Sequence, residues 1–246
     1  MDQLETKDNP SITAGHLNSK HIYSDTNALS EKMREIIQKQ DVEEKIVKVP
    51  KMETFVSGSI IPTTVCDDLV KFYNDDNSPF PILEGMIGKV QKGNESGTAI
   101  LDKKEKDSRD MSVHWQIKDY RIANFYRELH RVFVEYRQRY VTSQSLRLRV
   151  YETFNIQKYP KGGAYFKWHS ERVNTEPKSA MRALAWMTYL NDVEEGGETV
   201  FFNQQLVIKP KKGHTYIWPA DWTHTHKGNP APNEEKMIAT GWYEFY

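Results

Sequence analysis

Three side chains in the second half of the chain have the types and spacing to hold a metal ion. His169 and Glu171 lie in the run YFKWHSERV, and His224 and His226 lie in WTHTHKGNP. On a β-strand, residues two apart project to one face, so the imidazole at 169 and the carboxylate at 171 would point together into whatever that strand lines. A second histidine from the WTHTH run completes a set of two imidazoles and one carboxylate. Such a set suits a borderline metal such as Fe(II) and leaves coordination positions open for other molecules. The tripeptide H-x-E alone is weak evidence, since it arises often by chance and a lone strand histidine is more often packed or solvent-facing. His224 and His226 would also share one strand face, so spacing within the run does not choose between them. His16, His21, His114, His130 and His214 fall in no comparable pattern.

These groups need a scaffold, and the sequence changes period where it would begin. After Ser145, Leu146, Leu148 and Val150 alternate with Arg147 and Arg149, a period of two that predicts a strand. From there to Tyr246, short apolar runs are broken by turn signals at 160–163, 195–197, 210–213 and 229–233. Many short strands at such spacing predict a mainly β sandwich or barrel of the jelly-roll type. Leu184 to Leu190 is apolar almost throughout, as expected of a strand covered on both faces. Gly196 and Gly197 predict a tight turn with positive φ.

The preceding stretch predicts flanking helices. From Asp119 to Val141, the residues Ile122, Phe125, Tyr126, Leu129, Val132, Phe133, Tyr136 and Tyr140 form one wide apolar stripe. Its plain function is to brace a sheet. Phe55, Val56, Ile60 and Ile61 suggest a strand, and Pro62 can open a helix through Val65, Leu69, Val70 and Phe72. Residues 74–112 are rich in Asn, Asp, Gly, Ser and Lys and read as long loops enclosing a hairpin. Within them, the charged run Asp102 to Asp107 reads as a solvated loop, with a lid over the site as its alternative. Residues 1–50 are polar and read as an extension, partly disordered or carrying a short helix capped by Ser30. Residues 51–246 read as one domain, with support at 51–145 and the jelly-roll core at 146–246.

Composition excludes several classes. Among 246 residues, Lys+Arg and Asp+Glu both total 34, so no global charge points to nucleic acid or an anionic membrane. The single cysteine, Cys66, rules out an internal disulfide and any Cys-based zinc or iron–sulfur site. No stretch reaches the roughly 20 apolar residues of a membrane span, and the first thirty residues hold no signal-like apolar run. The chain therefore reads as soluble and cytoplasmic.

From Leu146 to Tyr246 the sequence resembles the prolyl 4-hydroxylase-like branch of the 2-oxoglutarate/Fe(II) dioxygenases. The resemblance rests on Tyr159, His169-Ser170-Glu171, and Arg182 leading a strand to Tyr189-Leu190-Asn191. It continues through Gly196-Gly197-Glu198-Thr199-Val200-Phe201, the turn Pro210-Lys211-Lys212-Gly213, His226, Pro230, Lys236 and Gly241-Trp242-Tyr243. The WTHTH and TGWY details look like small oxygenases of marine bacteriophages, whose cytoplasm would be the host's. The resemblance implies a double-stranded β-helix (jelly-roll, cupin-like) core, with His169, Glu171 and His226 on Fe(II). It favours His226 over His224 through the spacing to Pro230 and Lys236. Lys236 would bind the far carboxylate of 2-oxoglutarate, with Tyr159, Tyr189 and Thr240 donating hydroxyl hydrogen bonds to this cosubstrate. O₂ would be the second cosubstrate and ascorbate a candidate reductant.

The implied reaction hydroxylates a C–H bond while 2-oxoglutarate is decarboxylated to succinate. Peptidyl proline stands first as substrate, with a free amino acid or small metabolite behind it. A nucleobase is disfavoured, because no basic stripe is interleaved with aromatics. Glu171 departs from the aspartate usual in this branch and carries one methylene more. A halogenase would have a small residue there instead. The competing reading is a non-catalytic cupin-like binding module, which would not need three metal ligands and a basic residue in register. Oligomeric state is not readable from the chain.

Overall fold

The computed structural model describes residues 53–88, 99–172 and 177–246. The expected extension at 1–50, with its short helix, lies outside them. The described strands are β1 (Ser57–Ile60), β2 (Ile82–Glu84), β3 (Ile87–Gly88), β4 (Ala99–Ile100), β5 (Arg109–His114), β6 (Leu148–Val150) and β7 (Thr153–Tyr159). They continue with β8 (Arg182–Tyr189), β9 (Thr199–Phe201), β10 (Leu206–Ile208), β11 (His214–Pro219), β12 (His226–Gly228) and β13 (Lys236–Phe245). Two long helices precede the core, α1 (Thr63–Tyr73) and α2 (Tyr120–Arg139).

The major sheet runs β1-β11-β8-β13-β7-β5-β2, with β6 also paired to β13, and a smaller sheet runs β10-β9-β12. Every pairing is antiparallel. Two facing antiparallel sheets with this strand order make the expected double-stranded β-helix, helices first and barrel after.

Period-two alternation divides the core between the two faces of the major sheet. Leu184 and Trp186 of β8, Phe154 and Ile156 of β7, and Met237, Ala239 and Tyr243 of β13 pack against the stripes of α1 and α2. The intervening residues Ala185, Met187, Tyr189, Tyr159 and Ile238, with Trp218 of β11, face the smaller sheet and meet its Phe201 and Ile208. Strand β8 is therefore buried on both sides, as its unbroken apolar run requires. The barrel interior is the face that carries Tyr159, Tyr189 and Lys236.

Helix α2 begins where its sequence says it should: the Asp119 side chain accepts from the Arg121 backbone N–H at 2.8 Å and caps the first turn. Its stripe buries Ile122, Phe125, Leu129, Val132, Phe133 and Tyr136. Pro62 caps α1 from outside the first turn rather than opening it as the first helical residue.

Two expectations are corrected. The region 74–112 holds more than loops and a hairpin: besides the antiparallel pair β3–β4, β5 inserts between β7 and β2 as an integral strand of the major sheet. Met111 and Val113 are buried while Asp110 and Ser112 lie on the face that carries Gln157 and Asn155, an alternation of only four residues at the end of a long polar stretch. The charged run at 102–107 is not wholly solvated either. Lys106 is buried and ion-paired with Asp110, while Glu105 binds Lys167 at 2.9 Å and accepts the Phe166 backbone N–H at 2.8 Å. This run is thus laced to the segment that leads into His169.

Candidate metal and cosubstrate site

His169 and Glu171 do not sit on a regular strand, as their spacing had suggested. They lie in an irregular segment, bent at Lys167 and Glu171, that is held by an isolated bridge in which His169 and His226 exchange both backbone hydrogen bonds, at 3.0 and 2.8 Å. The Glu171 backbone N–H adds a bond to the Ala220 carbonyl at 3.1 Å. The two side chains still point together without the strand, Glu171 Oε1 lying 3.6 Å from His169 Nε2.

The side chains of His169, Glu171 and His226 offer ligand atoms that all lie within 4.8 Å of one another. Glu171 Oε1 is 3.6 Å from His169 Nε2 and 3.5 Å from His226 Nε2. Both imidazoles are oriented in the same way. His169 Nδ1 lies 2.9 Å from the Lys167 carbonyl and His226 Nδ1 lies 2.9 Å from the His224 carbonyl. A carbonyl can only accept, so each Nδ1 carries the proton and each Nε2 offers its lone pair to the site. The rings are further fixed by aromatic contacts. Tyr165 stacks on His169 at 3.8 Å between centroids, and Phe201 and Trp218 each stand 5.2 Å from His226.

His224 is excluded from this cluster. It ends a short 3₁₀ turn (Trp222–His224), and its Nε2 is bonded to the Thr54 carbonyl at 3.0 Å, away from the triad. Its tie to a ligand runs through its backbone carbonyl rather than its imidazole.

The donor set has the protonation a metal needs. Burial and the neighbouring His226 push His169 below its ordinary value, toward the neutral imidazole. Although burial alone would raise the Glu171 carboxyl, the group lies well below its ordinary value and is the ionised carboxylate. Two imidazoles and one carboxylate, converging on one point inside a barrel, fit Fe(II).

Lys236 occupies the same interior. It is only 3% exposed; its Nζ donates to the Gly197 carbonyl at 3.0 Å and lies 4.9 Å above the Tyr159 ring. No carboxylate among the described residues forms an ion pair with it. Burial pushes this ammonium down to about 8, with the charge of Glu198 acting in the opposite sense. A buried cation with one neutral acceptor fits an anionic ligand group. The Gly196-Gly197 turn has positive φ at both residues, 74° and 71°, as expected. It also supplies the carbonyl that receives Lys236, a role its turn chemistry did not suggest.

Tyr159 lies opposite Lys236 in the β7–β13 register, and Tyr189 lies opposite Ile238 in the next strand. Both phenols are buried and engaged with protein groups. Tyr159 Oη donates to Gln157 Oε1 at 2.7 Å, and Tyr189 Oη shares a 2.7 Å bond with Thr199 Oγ1. Thr240 stands four residues along β13 from Lys236, on the same face, with its hydroxyl on the Trp186 carbonyl at 2.8 Å. The structure brings the two tyrosines to the lysine and sets Thr240 toward the triad end of the barrel.

Two residues that the sequence offered only as parts of the family pattern, Trp242 and Arg182, touch the triad directly. Trp242 Nε1 donates to Glu171 Oε2 at 2.8 Å. Arg182 donates to the Glu171 carbonyl at 3.0 Å, approaches Oε2 to 3.9 Å, and lies 3.6 Å over the Trp242 ring. The even spacing 236, 238, 240, 242 places Trp242 on the inner face of β13, and that signal was available in the sequence.

Barrel, triad and buried lysine define the class, and residues 154–244 match the family model described as 2OG-Fe(II) oxygenase superfamily. That region holds the barrel and the triad, and the curated proteins it is similar to are prolyl 4-hydroxylases. The chain is 32% identical over 115 residues to the probable prolyl 4-hydroxylase 9 of Arabidopsis thaliana, covering 37% of this chain and 40% of that one. It is 28% identical over 123 residues to the prolyl 4-hydroxylase subunit alpha-2 of Gallus gallus, covering 46% of this chain and 23% of that one. The chain thus spans less than half the length of these curated relatives. Among solved structures, the viral collagen prolyl hydroxylase of Paramecium bursaria Chlorella virus-1 has a TM-score of 0.56 at 17% identity, covering 80% of this chain and 100% of that one. A Trichoplax adhaerens prolyl hydroxylase, solved with a hypoxia inducible factor peptide fragment, has a TM-score of 0.56 at 13% identity, covering 91% of this chain and 94% of that one. At these identities the likeness speaks for the fold.

Proposed function

We propose that this domain is a 2-oxoglutarate-dependent hydroxylase in which His169, Glu171 and His226 hold Fe(II) and Lys236 anchors 2-oxoglutarate. The observation that carries the reading is the convergence, inside one barrel, of the triad and a buried lysine that has no protein carboxylate. The iron, when bound, supplies the activation of O₂ that couples decarboxylation of 2-oxoglutarate to oxidation of a substrate C–H bond. The chain's own groups bind, orient and shield. The Lys167 and His224 carbonyls keep both imidazoles in the ligating tautomer. The Lys236 ammonium fixes the far carboxylate of the cosubstrate, and the tyrosines beside it exchange their present partners for that carboxylate or stay to wall it in. Met187, Phe201, Trp218 and Ile238 keep water from the reacting centre. Thr240 is the remaining hydroxyl of this set, toward the metal end.

The substrate we propose is peptidyl proline, supported by the prolyl 4-hydroxylases among the relatives and by the peptide complex of the Trichoplax neighbour. A free amino acid is the alternative. No helix among the described residues is long and apolar enough to cross a membrane.

The decisive experiment is anaerobic titration of metal-free protein with Fe(II) and 2-oxoglutarate, following the visible charge-transfer band of a chelated keto acid. A band that needs both components and is lost in His226→Ala supports the reading. Its absence from folded protein would leave the cupin-like binding module in front. Proline-rich peptides and free proline are then compared by mass spectrometry. Oxygen incorporated only into the free amino acid would overturn the peptide assignment.

A further inference from the structure

Glu171 is one methylene longer than the aspartate usual at this position, and a longer arm has one more torsion to fix. We propose that Trp242 is a positioning residue for Glu171. Its indole N–H captures the outer carboxylate oxygen, leaving a single oxygen directed at the two imidazoles, and Arg182 holds both partners in place. The inference rests on the metal-binding reading of the triad.

The two carboxylate oxygens have divided roles. Oε1 faces His169 Nε2 at 3.6 Å and His226 Nε2 at 3.5 Å, while Oε2 accepts from Trp242 Nε1 at 2.8 Å. A hydrogen bond to an ionised acceptor is stronger than one between neutral groups, and this one sits in a largely buried site. The indole cannot easily turn away. The Tyr151 ring stands edge-on to it at 5.8 Å and 90°, and the Tyr151 backbone N–H donates to the Trp242 carbonyl at 2.8 Å. Arg182 stacks on the indole at 3.6 Å and donates to the Glu171 backbone carbonyl at 3.0 Å, so one guanidinium ties the donor to its acceptor's main chain.

Burial does not by itself give an indole a partner in this protein. Trp115, Trp186 and Trp218 all have buried Nε1 atoms with no hydrogen-bond partner among the described residues. The bond of Trp242 is therefore a feature of this position. An aspartate whose inner oxygen stayed at the imidazoles would withdraw its outer oxygen from the indole by roughly one C–C bond length, about 1.5 Å.

The test is Mn(II) binding by calorimetry to metal-free wild type, Trp242→Phe, Glu171→Asp and the double variant. Loss of the indole N–H should weaken Mn(II) binding by about tenfold or more. In the Glu171→Asp background the same change should have no more than about a twofold effect. Trp242→Phe within about twofold of wild type, or an equal loss in both backgrounds, would overturn the proposal. Wild type that binds no Mn(II) would instead overturn the metal reading beneath it. A second measurement needs no change at Trp242: of the six tryptophan indole protons in the ¹H–¹⁵N spectrum, that of Trp242 should be downfield, slow to exchange, and moved by Glu171→Gln. An indole proton that exchanges freely and ignores Glu171→Gln overturns the positioning role even if Trp242→Phe fails to fold.

Discussion

At the scale of single residues, the chemistry depends on charges held where water is scarce. Lys236 is the clearest case, since burial lowers it from 10.5 to about 8. The sign of the linkage follows: between pH 8 and 10.5 the unfolded chain binds the proton more tightly, so ligand-free stability rises with pH across that window. A bound carboxylate restores the ammonium's preference for its proton. Affinity for 2-oxoglutarate should therefore be flat below about pH 8 and fall by up to about tenfold per unit above it. Calorimetric titration across pH 6–10 checks this, and a flat profile through pH 10 would remove Lys236 as the anchor. Lys236→Met should abolish cosubstrate binding yet stabilise the ligand-free domain, by up to about 3 kcal/mol. The two histidines of WTHTH separate in the same manner. His226→Ala should eliminate Mn(II) binding. His224→Ala should leave it within a few-fold while costing about 1 kcal/mol in urea unfolding, because it loses the Thr54 bond but keeps the carbonyl that orients His226. Metal binding lost equally in both variants would contradict this assignment.

At the scale of elements, the site depends on strands whose two faces do different work. Strand β13 sends Lys236, Ile238, Thr240 and Trp242 inward and Met237, Ala239 and Tyr243 toward the helices. Gly241 belongs to the helix-facing set and lies opposite Trp186 in register. A Cβ there would meet the Trp186 ring at 2.7 Å and the Phe154 Cβ at 3.2 Å. Gly241→Ala should thus destabilise the domain by about 1–3 kcal/mol through overpacking. Urea unfolding measures this, and an unchanged midpoint would show that the Trp186 layer yields freely. Such strands explain what was legible beforehand. Period two announced β6, an unbroken apolar run announced β8, the 3.6 period announced α2, and the family resemblance favoured His226 over His224 through its spacing to Pro230 and Lys236. Strand β5 was not recognised although Asp110, Met111, Ser112 and Val113 alternate, because that short pattern follows directly on the charged run at 102–110. Nor was the irregular backbone at 165–172, which is held in place by its bonds to β12 and Ala220. The burial of Lys106 was equally hidden, since its partner Asp110 sits on that unrecognised strand. Local pattern registers what a segment does alone, and these features arise from pairing.

At the scale of the whole domain, the triad joins parts that little else joins. Glu171 and His169 come from the irregular segment laced to Glu105 and Lys106, while His226 comes from β12 of the smaller sheet. Backbone bonds between these parts are few: the paired bond of His169 and His226, and that of Gly228 to Tyr165 at 2.9 Å. A metal on all three ligands would therefore cross-link the smaller sheet to the segment covering the barrel mouth. It would also offset the repulsion among closely packed donor groups. Binding to the folded state alone adds about 2.7 kcal/mol at a hundredfold excess over Kd. For a domain of this size that corresponds to a rise in Tm of roughly 5–10 °C. The gain should be local as well as global. Hydrogen exchange should slow most at residues 165–172 and in β9, β10 and β12 when Mn(II) is added, and least in α2, whose stripe is buried against the major sheet with or without metal. Chelator should reverse both effects, and His226→Ala should show neither. Protection spread evenly over the domain would mean that the two sheets already open as one unit, and that the metal stabilises the fold without serving as its clasp.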